Sequence, residues 1–411
     1  SIDMFNVFLA PFVKRMTLED IKGSIYRFFQ RTRGDSFVGR PTHEFSLGLE
    51  LAVPEFLTDV KAVGPNGNTM GTYGEYAEEV SLIIDALLKA VHEASASKPL
   101  VNPRLIFKLR SGISTGKALS ETLLRIHELA ARLSLPYFAL LEREGKVSYS
   151  ATGCRLPDDW TGDWQADCLR TGSMGTVLLN LPRLAYESNR NDGKLIEALD
   201  GSLNAALECM KAKQNSIDQR IRQSLLPTLA ATAGESKYFY EENTAYAVGF
   251  VGLNEAAVAH TGSSIGERGG SDFASTILTH MSEFVRQLSE DLNLRLTVAN
   301  RPGDEASVRL AELDVQRYGS GTAVFNGAKT HPYYTDLFAI PLSYKVPLLE
   351  RMEIEGKFQG MSGGGHLASI CLTPTDHDSK SLLQSTEQAR EKGVQFLTYT
   401  NNYSHCLKCG K

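Results

Sequence analysis

Residues 148–188 read SYSATGCRLPDDWTGDWQADCLRTGSMGTVLLNLPRLAYES, a polar, glycine-rich loop followed by an apolar run. The run at 176–181 is aliphatic and is bounded by glycine and proline, which predicts a buried strand. Cys154 lies in the loop, between Gly153 and Arg155. A cysteine in a glycine-flanked loop beside a cation is more often reactive than one packed in a helix. The segment therefore predicts either a reactive thiol or a structural loop thiol, placed ahead of a core strand.

Strand and helix patterns alternate through the rest of the chain. Predicted strands span 45–53, 104–109, 136–141, 246–253, 294–298, 334–340, 367–372 and 396–400. Predicted helices span 1–35, 76–96, 115–133, 194–226, 271–292, 304–318 and 379–392, and 64–71 is a predicted loop. Thr17, with Asp20 three residues later, predicts a helix N-cap. About eight to ten strands with helices between them predict an α/β fold, and one closed barrel suits them.

The composition excludes several classes of protein. The 411 residues are 42% hydrophobic and 22% charged, which is typical of a globular chain with a large core. The net charge of −5 argues against a nucleic-acid partner. No run of apolar residues is long enough for a membrane span, and no signal peptide is visible. Six cysteines are too few for a disulfide scaffold, so a reducing, cytoplasmic location is expected.

Short motifs in a fixed order resemble a known family. GSMGTV at 172–177, NLPRLA at 180–185 and CRL at 154–156 resemble segments of the anaerobic (class III) ribonucleoside-triphosphate reductases, which are glycyl-radical enzymes. Other matching pieces, in the family's order, are NVFLAP at 6–11, VGLNE at 251–255, YYT at 333–335, GGGH at 363–366 and CLKCG at 406–410. The resemblance covers nearly the whole chain.

The resemblance implies a fold and a reaction. The implied fold is a ten-stranded α/β barrel, incomplete at both ends, with 1–400 as the catalytic core and 401–411 as the start of a truncated zinc ribbon. The family's cysteine corresponds to Cys154 and becomes a thiyl radical that takes a hydrogen from the 3′ carbon of a ribonucleoside triphosphate. A thiol suits this step because its S–H bond is similar in strength to a sugar C–H bond. Such a step also needs a site that excludes water.

Three polar residues are further catalytic candidates. Members that use formate as reductant have asparagine where this chain has Ser173, so either formate or a small redoxin is the expected reductant. Asn254 and Glu255 follow a predicted strand, where barrel enzymes present polar groups, although they could equally cap the next helix. Cys168 could be a redox partner of Cys154, but the spacing of the two proves nothing, and Cys168 is treated as a bystander.

Two glycine-rich turns are candidate substrate-binding sites. Backbone N–H groups near Gly269, Gly270 and Ser271, or near Gly364 and Gly365, could contact a triphosphate. His366 adjoins the second turn. Neither turn is followed by a P-loop lysine, and tight turns alone would also explain both.

The last residues hold half of a metal site. Cys406 and Cys409 form a Cys-x-x-Cys pair, which cannot complete a zinc tetrahedron alone. The family's second cysteine pair and its Arg-x-x-Gly-Tyr radical loop are not found in these 411 residues. The start at Ser1 also suggests a fragment, which alone should not turn over.

The resemblance also implies partners. These are a radical S-adenosylmethionine iron–sulfur activase, the remaining fragments of the same reductase, a second copy in a homodimer, and dNTP or ATP effectors. Two alternatives are a non-catalytic nucleotide-binding paralogue and another glycyl-radical enzyme of the same barrel type, such as a lyase.

Overall fold

Helices and strands alternate along the chain, as the sequence predicts. The computed structural model describes residues 1–32, 45–96, 100, 102–112, 117–234, 236–301, 303, 305–336, 340–341, 344, 346–372 and 378–401. The helices are α1 Phe5–Val13, α2 Leu18–Thr32, α3 Ala77–Ala94, α4 Lys117–Leu133, α5 Leu181–Ser188, α6 Asp192–Arg222, α7 Leu253–Thr261, α8 Arg268–Leu292, α9 Glu305–Tyr318, α10 Leu348–Gly360 and α11 Ser379–Glu391. The strands are β1 Ser46–Glu50, β2 Lys61–Val63, β3 Thr69–Thr72, β4 Arg104–Arg110, β5 Pro136–Leu141, β6 Val147–Tyr149, β7 Arg155–Pro157, β8 Ser173–Asn180, β9 Thr232–Ala233, β10 Ser236–Lys237, β11 Ala245–Val251, β12 Leu296–Val298, β13 Asn326–Ala328, β14 His331–Tyr333, β15 Ala368–Leu372 and β16 Phe396–Asn401.

Two main sheets carry the fold. One has the order β1-β4-β5-β16-β15, in which β16 is antiparallel to β5 and the other neighbours are parallel. The other has the order β12-β11-β8 and is parallel throughout. The turn that leads into β15 joins them, because Gly364 N donates to Val298 O at 2.9 Å and Asn300 N donates to Gly365 O at 3.0 Å.

The predicted α/β architecture is confirmed. In the described part of the chain the two main sheets hold eight strands, compared with the ten that the resemblance implies. Parallel strands need cover on both faces, and β1, β4 and β11 are correspondingly buried along nearly their whole length, although Glu50, Lys108 and Arg110 are buried among the apolar residues. Helix α3 contributes a stripe of buried aliphatic residues to the larger core cluster. Among the described helices, none is long and apolar enough to cross a membrane.

The Thr17 cap is present as predicted. Asp20 N donates to Thr17 Oγ1 at 3.3 Å, and Thr17 N donates to the Asp20 carboxylate at 3.1 Å. This reciprocal arrangement satisfies backbone donors that a helix start leaves unpaired. The single helical stretch predicted for 1–35 is in fact two helices, α1 and α2.

Other element predictions need correction. Part of the predicted loop at 64–71 belongs to the hairpin of β2 and β3. Of the predicted strand at 334–340, Tyr334 is not in a strand and 337–339 lie outside the described residues. The strand ends at Tyr333 because the Tyr334 side chain turns inward, where its hydroxyl donates to Asp314 at 2.8 Å. Helices α5, α7 and α10 are additional to the predicted elements. Helices α5 and α7 follow strands β8 and β11 almost at once, so their apolar residues read as continuations of those strands.

Candidate functional site

A short hairpin presents Cys154. Strands β6 and β7 pair antiparallel, with Tyr149 opposite Arg155, so that 150–154 form the hairpin tip. Ser150 N donates to Cys154 O at 2.8 Å, and Gly153 N donates to Ser150 O at 3.0 Å. These two bonds close a tight turn, which fixes the backbone that carries the thiol.

The hairpin tip is locked against the glycine-rich turn before β15. Gly153 has φ +88, and a Cβ there would meet Leu367 N at 2.5 Å. Gly365 has φ +89, and a Cβ there would overlap Gly153 O. Arg155 N donates to Gly364 O at 2.8 Å, and the Arg155 guanidinium donates to the carbonyl oxygen of Gly363 at 2.9 Å. Glycine is therefore required on both sides of the crossing, because the two backbones touch and both adopt left-handed φ.

Cys154 opens onto a cavity of about 220 Å³ beside the three-stranded sheet. Its walls come from the hairpin, from β8, β11 and β12, and from the chain start. The lining residues are Ser1, Asp3, Ser148, Tyr149, Ser150, Cys154, Arg155, Leu156, Cys168, Leu169, Thr171, Gly172, Ser173, Ala245, Ala247, Thr297, Ala299 and Gly364. The structure thus brings Cys154, Ser173 and Gly364 to one cavity.

The Cys154 side chain is held as a neutral thiol. Burial raises the pKa of Cys154, and this effect exceeds the opposing influences of a Thr152 hydrogen bond and the Arg301 charge. A thiolate is the nucleophilic form of cysteine, whereas hydrogen-atom transfer needs the S–H bond. The environment therefore favours hydrogen-atom chemistry over nucleophilic chemistry.

Cys168 lines the same cavity, which its sequence context did not reveal. It lies on a π-helical turn, Gln165–Leu169, and its sulfur is 3.1 Å from Leu156 O and 3.3 Å from Lys146 O. Burial raises its pKa to about 12. Arg295 holds this turn in place by donating to Asp167 O at 2.8 Å. Cys168 faces the cavity because of this long-range contact, for which the sequence spacing gives no signal.

Asn254 and Glu255 are absent from the lining of the Cys154 cavity, which corrects the predicted placement. Helix α7 begins at Leu253, directly after β11, so both side chains turn with the helix. Asn254 Oδ1 accepts hydrogen bonds from Ser264 Oγ at 2.8 Å and Ile265 N at 3.2 Å. Both side chains are buried, and Asn254 anchors the loop before α8.

Glu255 belongs to a separate polar cluster. Its carboxyl accepts from Thr335 N at 3.2 Å, from Thr335 Oγ1 at 2.5 Å and from Asn326 Nδ2 at 2.5 Å. Burial raises the pKa of Glu255 despite these donors. The arrangement ties α7 to the segment after β14, so its geometry is that of a structural carboxyl.

The first glycine-rich turn also lies away from Cys154. Gly269, Gly270 and Ser271 form the first turn of α8, and Ser271 Oγ accepts from Lys357 Nζ at 3.1 Å. Ser271 lines a different cleft, which also contains Glu350 and Glu353. The same cleft also contains Arg268, Lys357 and Lys392, so its carboxylates are balanced by cations, and whether it binds a phosphate stays a prediction.

The second turn divides into two environments. Gly364 lines the Cys154 cavity and Gly365 contacts the hairpin tip. His366, by contrast, is buried with its Nε2 2.7 Å from Glu355 Oε2, and it is absent from the cavity lining. Its side chain therefore does not reach a ligand in that cavity.

The predicted metal pair, Cys406 and Cys409, lies outside the described residues. Within the ranges that the structure does describe, no group of three or more His, Cys, Asp or Glu side chains could hold a metal ion.

The NLPR segment is a structural tie. Asn180 caps α5 by accepting from Arg183 N at 3.3 Å, and its amide donates to Asp314 at 2.7 Å. Arg183 also donates to Asp314, with an Nη2 distance of 2.6 Å, and Tyr334 adds a third donor. Asp314 is fully buried on α9. The segment thus fastens the C-terminal end of β8 to α9.

Comparisons with known proteins agree with this architecture. The chain is 22% identical over 285 residues to the anaerobic ribonucleoside-triphosphate reductase of Enterobacteria phage T4, covering 64% of this chain and 44% of that protein. It is 23% identical over 340 residues to the Escherichia coli (strain K12) protein of the same name, covering 76% of this chain and 46% of that protein. The chain thus spans less than half the length of these relatives.

Solved structures show the same fold. The anaerobic ribonucleotide reductase from Thermotoga maritima with MES in the active site superposes with a TM-score of 0.79 at 16% identity, covering 99% of this chain and 67% of that one. The B12-independent glycerol dehydratase from Clostridium butyricum superposes with a TM-score of 0.61 at 10% identity, covering 95% of this chain and 56% of that one. A sequence model described as "Anaerobic ribonucleoside-triphosphate reductase" matches residues 1–411, and the chain belongs to that family.

Proposed function

We propose that this chain is the catalytic barrel of an anaerobic ribonucleotide reductase, which reduces ribonucleoside triphosphates through a thiyl radical on Cys154. The observation that carries the proposal is a neutral thiol on a backbone-locked hairpin tip, open to a cavity that Ser173 also lines. Family membership supports the same reaction.

The cavity size limits what part of a substrate it holds. Pockets that enclose a whole small ligand are usually about 300–1,000 Å³. The cavity here is about 220 Å³. We therefore assign the ribose to the cavity and leave the base and phosphates at its rim.

In the proposed reaction, Cys154 exchanges the hydrogen atom and Ser173 binds the substrate or the reductant. A glycyl radical from a segment outside these 411 residues supplies the unpaired electron. Cys154 then takes the hydrogen from the 3′ carbon, which weakens the neighbouring 2′ C–O bond, and the 2′ hydroxyl leaves with a proton as water. Cys154 finally returns a hydrogen to the 3′ carbon. Ser173 offers a hydroxyl that can bond a ribose oxygen or a small carboxylate.

The net reaction needs two electrons and a reductant of defined class. Formate would become carbon dioxide, whereas a redoxin dithiol would become a disulfide, and either one balances the loss of one water. Cys168 lies in the cavity wall, but its pKa of about 12 keeps it in the thiol form, and thiol–disulfide exchange needs the thiolate, so its presence does not choose between the two reductants.

Further parts of the proposal follow from family membership. They are a radical S-adenosylmethionine activase, dNTP or ATP effectors, a homodimer, a zinc site that includes Cys406 and Cys409, and a cytoplasmic location. The division into a core at 1–400 and a zinc-ribbon start at 401–411 belongs to the same proposal.

The test is ligand protection of Cys154 from alkylation. Iodoacetamide labelling is followed for each cysteine-containing peptide by mass spectrometry, with and without a ribonucleoside triphosphate. We expect the nucleotide to slow labelling of Cys154 several-fold and to leave the exposed Cys209 unchanged. Equal labelling of Cys154 in both samples at saturating nucleotide would refute the proposed substrate position.

A further inference from the structure

A carboxylate, that of Asp3, belongs to the wall of the cavity onto which Cys154 opens. The chain start lies against β1, because Ile2 N donates to Ser46 O at 2.8 Å and Gly48 N donates to Ile2 O at 2.8 Å. These two backbone bonds place Asp3 in the cavity wall. Among the described residues that line the cavity, Asp3 is the one that carries a carboxylate.

Lys108 holds the Asp3 carboxylate in place. Its Nζ donates to Asp3 Oδ2 at 2.7 Å, and Met4 N donates to Asp3 Oδ1 at 2.9 Å. The Lys108 side chain is fully buried, and the Asp3 side chain is only 4% exposed. Gly48 leaves room for the carboxylate, since a Cβ there would overlap Asp3 Oδ1. The protein therefore fixes the position of this carboxylate in the absence of any ligand.

A second carboxylate contacts the same lysine but does not line the cavity. Glu50 Oε1 lies 3.5 Å from Lys108 Nζ. Both Glu50 oxygens accept from Arg110, from its Nε at 2.9 Å and from its Nη2 at 2.8 Å. All of these side chains are buried. Glu50 is thus paired by Arg110, while Asp3 is the nearer partner of Lys108 and the one at the cavity.

Stability alone does not account for this buried pair. Moving two charged groups out of water commonly costs more than their attraction returns, and apolar side chains of similar size often stabilise a protein as well. The helix-facing side of the same two strands is apolar, with Leu47 of β1 and Phe107 of β4 in the larger core cluster. Because side chains alternate along a strand, Glu50 and Lys108 lie on the other face. The charges are therefore confined to the side from which Asp3 reaches the cavity.

We infer that Asp3 is a substrate-binding residue, whose carboxylate accepts a hydrogen bond from a ribose hydroxyl in the Cys154 cavity. An ionised carboxylate offers about four lone-pair sites, and in the described part of the chain two donors reach Asp3. The 2′ and 3′ hydroxyls of a ribose are donors that match the remaining sites. This role of Asp3 rests on the proposed function, because it takes the ribose as the group that occupies the cavity.

A hydroxyl-binding carboxylate makes the site selective between sugars. A site built to bond a substrate hydroxyl rejects the analogue that lacks it, because the buried polar group of the site is then left unpaired. Hydrogen bonds to a charged acceptor are also roughly twice as strong as those between neutral groups. The cavity should therefore distinguish a ribonucleotide from its 2′,3′-dideoxy analogue, and the charge of Asp3 should be the cause.

The test compares a ribonucleoside triphosphate with its 2′,3′-dideoxy analogue in the complete reductase without the activase, so that nucleotide binds and no turnover occurs. Iodoacetamide labelling of Cys154 gives the concentration of each nucleotide that halves the labelling rate. We expect the parent protein to need at least about tenfold more of the dideoxy analogue, the effect of one hydrogen bond to a charged group. Asp3→Asn should lower this ratio several-fold, by raising the concentration of ribonucleotide needed and leaving that of the analogue unchanged.

Glu50→Gln is the matched control, because Glu50 is a buried carboxylate beside the same lysine and lies outside the cavity lining. We expect it to retain the parent ratio. Asp3→Asn alone leaves Lys108 without its nearest carboxylate, so the double variant Asp3→Asn with Lys108→Met, which removes both charges, is measured as well and should show the same lowered ratio. Each ratio compares two ligands on one protein, so a general loss of stability cancels.

The outcomes separate the role of Asp3 from the proposed function. A parent ratio near one would overturn the role of Asp3 and leave the substrate position intact, because both nucleotides would still protect Cys154. A parent-like ratio in both Asp3 variants, or an equal fall in Glu50→Gln, would also overturn it. Failure of both nucleotides to protect Cys154 is a different result, because it refutes the proposed substrate position and the role of Asp3 with it.

Discussion

Replacement of Gly153 with alanine tests the backbone crossing that holds Cys154 in place. The left-handed φ of +88 costs an alanine about 1–2 kcal/mol. Its Cβ would also lie 2.5 Å from Leu367 N and 2.6 Å from the His366 carbonyl carbon. Both are backbone atoms that cannot rotate away, and overpacking of this kind costs a further ~1–3 kcal/mol. We therefore expect Gly153→Ala to lower the free energy of unfolding by about 2–5 kcal/mol.

The chain offers a matched control in Gly162. It has φ +82, but a Cβ there would meet no atom within 4 Å. Gly162→Ala should therefore carry only the conformational cost of about 1–2 kcal/mol. Urea unfolding followed by tryptophan fluorescence suits the comparison, because Trp160 and Trp164 are the two tryptophans of the chain. Equal destabilisation by the two alanines would show that the crossing adds nothing and would refute this account of the hairpin tip.

Three further predictions concern pH, a buried ion pair and the reductant. Burial lowers the pKa of His127 from 6.5 to about 4, so the stability that the neutral side chain contributes is present above pH 6.5 and is lost as pH falls towards 4. The free energy of unfolding, measured in urea at pH 5 and pH 7, should therefore be lower at pH 5, and the full loss down to pH 4 should be up to about 3 kcal/mol. His127→Phe should remove this pH dependence. Asp314→Asn should lower the free energy of unfolding in urea by about 3 kcal/mol, because it leaves Arg183 without the buried carboxylate that it pairs with. Glu187→Gln, which removes an exposed ion pair with Arg317, should lower it by less than about 1 kcal/mol. Equal losses in the two variants would contradict a structural role for the Asp314 cluster. In the complete reductase, Cys168→Ser should leave turnover with a dithiol reductant and nucleotide protection of Cys154 unchanged, because a thiol with a pKa of about 12 is a poor partner for exchange; loss of turnover with the dithiol alone would place Cys168 in the reaction.

Local sequence pattern was sufficient to predict most of the core strands. The runs that became β4, β5 and β11 are rich in aliphatic or aromatic residues and are buried, whereas β8, also predicted as a buried strand, is mostly half-buried. The errors lie where a distant partner determines the local structure. Tyr334 reads as part of a strand, yet its hydroxyl reaches Asp314 twenty residues away and the backbone leaves the sheet.

The candidate site was predictable in the same partial way. The glycine and arginine beside Cys154 mark a special loop, and the structure shows that both contact the turn before β15. Cys168 could not be placed from sequence, because its helical turn is held by Arg295, which directly precedes β12 and lies more than a hundred residues away in the chain. Glu255 shows the opposite error, in which a polar residue after a strand forms a structural bond instead of facing the cavity.

The NLPR motif at 180–183, which resembles the family, lies apart from the hairpin tip at 150–154, which carries Cys154. Strand β8 has Ser173 at its first residue, in the cavity wall, and Asn180 at its last residue, in the Asp314 tie. Its neighbour β11 pairs with it along nearly its whole length, so the two strands behave as one rigid element. Asp314 lies on α9, which follows β12 in the chain, and β12 supplies Thr297 to the same cavity. The tie therefore braces the β8 wall of the cavity from the far end of that strand, so that loss of Asp314 should loosen the site around Cys154 although Asp314 does not line the cavity.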